Sequence, residues 1–100
     1  MTQKEKTAFR KTKKWQAFRK RLQYHFGKDY LTHKPLRAGW NAHHLCMKDE
    51  EYDQLGLDRL IPLNKQSHKF VHFIYTYYNK DPEVLDRLAE IMQKMKELNS

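Results

Sequence analysis

Residues 59–72 read RLIPLNKQSHKFVH, and this stretch decides the fold that the sequence predicts. Its first part, 59–64, is short and apolar, and Pro62 within it is typical of an edge or irregular strand. From Ser67 to Tyr78 the apolar residues recur at helical spacing. The run HFIYTYYN, at 72–79, is rich in aromatic and β-branched residues and is also compatible with a strand. The stretch therefore predicts a short strand that leads almost directly into a helix.

The flanking segments predict helices on both sides of this core. A chain of 100 residues suits one domain. Helices on both sides of a strand–loop–strand–helix core predict the α+β class. We expect a basic N-terminal helix within 1–27, frayed over 1–9, then the core over 28–80 and a C-terminal helix over 81–100. Asp81 is the expected N-cap of the last helix, and Gly27 the expected end of the first. The aromatic seam of the first helix, at Trp15, Phe18 and Leu22, is predicted to be core in preference to a base-stacking platform.

Positive charge is concentrated at the front of the chain. Residues 1–30 hold 10 Lys and Arg against 2 Asp and Glu, whereas residues 31–100 hold 10 of each. The whole net charge of +8 therefore lies in the first 30 residues. Such a segment favours a polyanionic partner, most often nucleic acid, over a basic helix that serves only solubility.

The composition also excludes several classes of protein. No apolar run approaches the roughly 20 residues of a membrane span, so no membrane partner is expected. The basic N-terminus has no apolar stretch behind it and does not resemble a signal peptide. Cys46 is the only cysteine, which excludes an internal disulfide and any multi-cysteine zinc site. We expect a cytoplasmic protein in which Cys46 is a small packing residue.

Four of the six histidines form two pairs, His43 with His44 and His68 with His72. On a helix, His68 and His72 are one turn apart on the same face and can share a cation. On a strand, adjacent side chains point to opposite sides, so His43 and His44 cannot be equivalent ligands. One of them is predicted to join the cation and the other to move protons. The alternative is that these histidines are exposed or hydrogen-bonded packing residues.

WNAHHL at 40–45, followed by RLIPLNKQSHKFVH, resembles the motif of HNH endonucleases, particularly small phage-type members. The resemblance covers about residues 30–78 and implies a ββα-metal core, also called the His-Me finger, with flanking helices. By position, it implies that His43, His68 and His72 bind one divalent metal ion, which is Mg²⁺, Mn²⁺, Zn²⁺ or Ni²⁺. His44 matches the general base. The implied activity is metal-dependent hydrolysis of DNA phosphodiester bonds.

The sequence departs from the family pattern at the second strand. Many HNH proteins have an asparagine there that braces the motif loop, whereas this chain has Arg59 preceded by Asp58. Asn64 and Ser67 occupy positions that cysteines hold in zinc-ribbon versions, so no structural zinc is expected. The acidic residues of the intervening loop are expected to be solvated charges and not metal ligands; they are Asp49, Glu50, Glu51 and Asp53.

Cations along the N-terminal helix and near the motif are the expected contacts to the DNA backbone. They are Lys13, Lys14, Arg19, Lys20, Arg37, Arg59, Lys65 and Lys69. Two other functions stay open: a non-catalytic DNA-binding module that keeps the fold with a structural metal, and a small helical interaction protein. The resemblance to phage proteins places the chain in the host-cell cytoplasm. The small size is compatible with a homodimer or a larger phage protein as partner for double-strand cutting.

Overall fold

The computed structural model describes residues 1–100, and they form four α-helices and a two-stranded antiparallel sheet. This confirms the predicted α+β class. The chain divides into two compact units, Met1–His68 and Lys69–Ser100, with the boundary inside one helix. The prediction of a single domain stays a prediction. The elements in chain order are α1 (Gln3–Arg10), α2 (Lys13–Phe26), β1 (Asn41–His44), a 3₁₀ turn (Asp49–Glu51), β2 (Leu60–Leu63), α3 (Lys65–Tyr78) and α4 (Glu83–Leu98).

The N-terminus is helical from Gln3, so the expectation that residues 1–9 fray was wrong. Thr2 and Glu5 form a capping box, in which each side chain accepts a hydrogen bond from the backbone N–H of the other residue. The hydrogen bond from the Thr2 N–H, with a contribution of the Thr2 side chain, lowers the pKa of the Glu5 carboxyl. The basic segment 1–27 is two helices, because the chain turns at Lys11 and restarts where the Thr12 hydroxyl accepts from the N–H of Trp15.

Helix α2 supplies the core of the first unit, as its aromatic seam predicts. Trp15, Phe18 and Leu22 are buried and pack with Trp40 and Leu60. Gly27 ends α2 in the left-handed conformation, φ 72°, which glycine adopts without a steric cost. Burying side chains of this size stabilises a fold by roughly 1.5–3 kcal/mol each. This cluster therefore holds α2 against strand β2.

Strands β1 and β2 pair with the register His43↔Ile61 and His44↔Leu60. Strand β2 lies within the predicted segment 59–64. Its central Pro62 faces Ala42 across the pair, and the Pro62 carbonyl accepts a hydrogen bond from the N–H of Tyr30. Only Asn64 separates β2 from α3, which begins two residues before the predicted Ser67. The helical prediction for Ser67 to Tyr78 is confirmed, and the strand alternative for HFIYTYYN is wrong.

A buried carboxylate joins the loop after α2 to the start of α3. Asp29 is fully buried, and its oxygens accept hydrogen bonds from the backbone N–H groups of Leu31, Thr32 and Asn64 at 2.7–2.8 Å. The hydroxyl of Ser67 donates a further bond. Burial alone would raise the pKa of Asp29, but the four hydrogen bonds together outweigh it and lower the pKa. Asp29 is therefore a charged anchor of the loop.

In the second unit, no side chain of helix α4 is buried. Helix α4 begins at Glu83 with Pro82 as its N-cap residue, so the prediction of Asp81 as N-cap was wrong by one position. Asp81 contributes its backbone carbonyl, which accepts from the N–H of Val84. No helix of the chain combines the length and apolar character that crossing a membrane requires.

We predict that Asp29→Asn lowers the free energy of unfolding by about 1.5–3 kcal/mol, the contribution of hydrogen bonds to a charged acceptor. Because the folded pKa of Asp29 is lowered, this contribution is fully present above the unfolded pKa and disappears as the pH falls through the folded pKa. Urea denaturation at pH 7 and in acid measures both effects.

The matched control for this prediction is Asp53→Asn, because Asp53 is exposed in the acidic loop. The control is expected to leave the free energy of unfolding within about 0.5 kcal/mol of the unchanged chain. Equal effects of the two substitutions, or a difference that persists undiminished in strong acid, would contradict the anchoring role of the Asp29 carboxylate.

Candidate metal centre and the adjacent histidine

Three histidines converge on one side of strand β1. His43, His68 and His72 each offer one ring nitrogen, and these three atoms lie within 4.8 Å of one another. His43 is buried, and the other two are half-buried. The rings of His43 and His68 have their centroids 5.2 Å apart and are inclined at 69°. The three residues predicted as metal ligands are therefore together in space.

The sequence places these rings through two short elements. His43 is fixed by the pairing of β1 with β2, where it lies opposite Ile61. The connection from β2 to α3 is a single residue, so the first turn of α3 is close to the sheet, and the N–H of His68 donates to the carbonyl of Asn64. His72 follows one turn later on the same helix, on the same face as His68.

The donor set fits a divalent transition metal. Three imidazoles without a thiolate suit Zn²⁺, Ni²⁺ or Cu²⁺ by affinity, whereas Mg²⁺ and Mn²⁺ prefer oxygen ligands. Three protein ligands also match the pattern of catalytic zinc sites, in which the fourth position is open to water or substrate. The cluster contains no carboxylate. In the nearby loop, Asp49 pairs with Lys6, and Glu51 pairs with Arg59.

His44 lies on the other face of β1, as the alternation of the strand requires. Its ring stacks on Tyr52 with centroids 4.2 Å apart, and it is parallel to Trp15 at 5.8 Å. Its Nε2 is 3.0 Å from the backbone carbonyl of Tyr52. A carbonyl can only accept, so Nε2 carries the hydrogen and Nδ1 is the basic nitrogen of the neutral ring.

The surroundings of His44 favour its neutral form. Burial lowers the pKa of His44 most strongly, and the hydrogen bond to Tyr52 opposes that effect in part. The charges of Lys6 and Arg10 lower the pKa further. The pKa therefore lies below the ordinary value near 6.5, and His44 is able to accept a proton at neutral pH.

Helix α1 contacts Tyr52 through two basic side chains. Arg10 Nη1 donates to the Tyr52 hydroxyl at 2.8 Å, and Lys6 Nζ lies 5.0 Å from the centre of the Tyr52 ring. Lys6 also forms an ion pair with Asp49 at 2.6 Å. Tyr52, Lys6 and Arg10 could not be predicted as part of the site, because contacts across more than 40 residues leave no local pattern. A tyrosine inside an acidic loop was the only signal.

Arg59 contacts the same loop through Glu51. Arg59 Nη2 lies 3.5 Å from Glu51 Oε1, and the Cys46 thiol donates to Glu51 Oε2 at 3.0 Å. The thiol contributes most to the lowered pKa of Glu51, and Arg59 adds to it. Glu51 is thus paired and half-buried, contrary to the expectation of a solvated loop charge, whereas Asp49 pairs with Lys6 but stays exposed. Cys46 has a polar contact in addition to packing.

The predicted DNA-binding cations fall into two groups. Arg19 stacks over Trp40 at 3.7 Å and donates to the Trp40 carbonyl, so its guanidinium has an internal role. Its partial burial lowers its pKa. Arg59 is paired with Glu51. The others are exposed and form no ion pair within the chain; they are Lys13, Lys14, Lys20, Arg37, Lys65 and Lys69. A role in DNA binding stays a prediction for all eight.

No protein-family model, no curated protein and no solved structure matches the chain. Membership of the HNH family stays a prediction that rests on the motif residues. What the three-histidine cluster and His44 do is therefore inferred from their own geometry and chemistry.

We predict that the chain binds one Zn²⁺ or Co²⁺ ion. His68→Ala is expected to weaken the metal affinity by about 100-fold or more, because it removes a ligand, and loss of a residue that only supports a ligand already costs up to about 100-fold. Isothermal titration with Zn²⁺ and the visible absorption of bound Co²⁺ measure this. His25→Ala is the matched control, because His25 lies on α2 outside the cluster. Affinity unchanged in His68→Ala, or lost equally in His25→Ala, would exclude the cluster as the site.

Proposed function

We propose that this chain is a metal-dependent HNH-type endonuclease that hydrolyses phosphodiester bonds in DNA. One observation carries the proposal: the adjacent residues His43 and His44 have different environments that suit different tasks. His43 belongs to a cluster of three imidazoles, whereas His44 is neutral, oriented by Tyr52 and outside that cluster. A ligand set and a general base side by side are what hydrolysis of a phosphodiester needs.

The order of elements supports the finer fold that the family implies. Strands β1 and β2 form an antiparallel pair, and α3 follows β2 after one residue. We propose that these three elements form a ββα-metal core over about residues 41–78. The basic helices α1 and α2 precede this core, and α4 follows it.

In the proposed reaction, His44 Nδ1 accepts a proton from a water molecule while the water oxygen attacks phosphorus. The bond from phosphorus to the 3′ oxygen breaks, and that oxygen takes up a proton from solvent. His43, His68 and His72 would hold the divalent ion, which supplies Lewis-acid stabilisation of the charge on the phosphate and leaving oxygens. Nε2–H of His44 remains bonded to Tyr52, which keeps Nδ1 directed and basic.

The departure at position 59 is compatible with activity in this proposal. In HNH proteins the asparagine braces the motif loop, and here the Arg59–Glu51 pair and the α1 contacts to Tyr52 hold the loop between β1 and β2. Tyr52 is thus a positioning residue, because it acts through the orientation of His44 and not on the substrate.

A second function is a non-catalytic DNA-binding module with a structural metal. The observation in its favour is the enclosure of His44 between Trp15 and Tyr52, which also suits a packing residue. The basic N-terminal segment would bind DNA in either case. The two functions differ in whether His44 is needed for cleavage.

We predict that His44→Ala lowers the rate of supercoiled-plasmid cleavage by about 10²–10⁴-fold, the usual contribution of a general base. The unchanged chain should cut with a divalent metal and stop in EDTA. His44→Ala should keep its affinity for Zn²⁺, because His44 is outside the ligand cluster.

His25→Ala serves as the control and should cut at the unchanged rate. Cleavage by His44→Ala at the same rate as the control would refute the general-base role. An unchanged chain that binds DNA but cuts with none of Mg²⁺, Mn²⁺, Ni²⁺ or Zn²⁺ would favour the non-catalytic module.

A further inference from the structure

A cleft of about 300 Å³ lies beside the first turn of α3 and outside the histidine cluster. One wall comes from the loop before β1 and includes Thr32, Lys34 and Arg37. The other wall comes from the start of α3 and includes Lys65 and Gln66. The volume is at the small end for ligand sites, which suits one phosphate with its sugar and not a large organic molecule.

The charge of this cleft is positive and unbalanced within the chain. Lys34, Arg37 and Lys65 are exposed, and none of them forms an ion pair. Asp29, on the segment that leads into this wall, is fully buried, and its oxygens are taken by backbone N–H groups and Ser67. Three like charges around one small cleft attract an anion from solution.

Hydrogen bonds through Asn64 fix the two walls of the cleft to each other. The Asn64 side chain accepts from the N–H of Arg37 at 2.8 Å and donates to the carbonyl of Pro35 at 3.1 Å. Gly39, at φ 82°, leaves room for the Lys65 side chain, since a Cβ there would stand 2.7 Å from Lys65 Cε. The absence of a side chain at Gly39 therefore lets Lys65 lie along the loop.

We propose that this cleft binds one backbone phosphate of DNA, next to the phosphate that is cut. The identification of DNA rests on the proposed nuclease function. Lys65 precedes His68 by three residues, a rise of about 4.5 Å along the helix. A phosphate held by Lys34, Arg37 and Lys65 would fix the register of the strand without reading its sequence.

The test measures the affinity of the chain for a labelled 20-base-pair duplex. Fluorescence anisotropy reports the binding, in buffers that contain EDTA and several salt concentrations. In the triple variant Lys34→Gln, Arg37→Gln and Lys65→Gln we expect about a tenfold loss of affinity at low salt. The slope of log affinity against log salt should decrease by about 1, as for one lost phosphate contact. A second variant, Ala38→Glu, puts a carboxylate in the same cleft and should weaken binding in the same direction.

The control removes the same charge elsewhere, with Lys48→Gln, Lys80→Gln and Lys96→Gln. It should change the affinity much less than the cleft variant and leave the salt slope near its original value. Equal effects of the two triple variants would overturn the proposal, because net charge alone would then explain binding. Binding of inorganic phosphate to the cleft, with duplex affinity unchanged in the cleft variant, would also overturn it.

EDTA prevents metal-dependent cleavage, so the binding assay tests the phosphate site independently of the nuclease activity. If the cleft variant weakens duplex binding while the unchanged chain fails to cut plasmid, the phosphate site stands and the nuclease activity does not. If the chain cuts plasmid while the cleft variant binds the duplex normally, the nuclease stands and the phosphate site does not.

Discussion

Alternation of side chains along strand β1 is the constraint on which the candidate site depends. Because neighbouring residues of a strand face opposite sides, His43 and His44 meet different surroundings even though they are adjacent in the chain. One side of the strand presents His43 to His68 and His72, and the other presents His44 to Trp15 and Tyr52. A shift of one residue in the pairing with β2 would exchange the two environments. The register His43↔Ile61 therefore sets the chemistry of both rings.

Two polar anchors keep this short sheet in place, since a two-stranded sheet alone is marginally stable. Asp29 ties the loop before β1 to the N–H of Asn64, and so to the start of α3 that carries His68. Arg10 ties α1 to Tyr52, whose carbonyl orients His44. His68 and His44 are thus positioned by different hydrogen bonds, and each set of bonds involves a segment that is distant in sequence. Asn64 and Ser67 both bond to Asp29, so hydrogen bonds link the loop to the helix at this point.

The sequence predicted the elements with local patterns and missed the contacts between distant segments. The helical spacing of Ser67 to Tyr78, the seam of α2 and the stop at Gly27 follow from side-chain periodicity and backbone preference, so they could be predicted. The spacing of His68 and His72 predicted that these two rings share a face, and strand alternation predicted that one of His43 and His44 joins them. The choice of His43 came only from the resemblance to the HNH motif, and His43 is the ring that lies in the cluster. Helix α1 also had a local signal in Thr2-x-x-Glu5, which the polar composition concealed.

Other features of the site depend on tertiary packing and have no such signal. The environment of His44 is built from Trp15 on one helix and Tyr52 in a loop, with Arg10 from a further helix behind it. The buried position of Asp29 likewise depends on a residue 35 positions away. A charged residue in a loop is usually solvated, so nothing local distinguishes Asp29 from Asp53 before the chain folds.

The central claim is that His43 and His44 have different roles, and histidine ring ¹⁵N spectroscopy tests it most directly. Two-bond ¹H–¹⁵N spectra of labelled protein, without and with stoichiometric Zn²⁺, report the tautomer and metal ligation of each ring. We expect His43, His68 and His72 to change on addition of Zn²⁺, and His44 to remain neutral with its hydrogen on Nε2 in both spectra. A metal-bound nitrogen on His44, a hydrogen on its Nδ1, or no response of the other three rings would contradict the account.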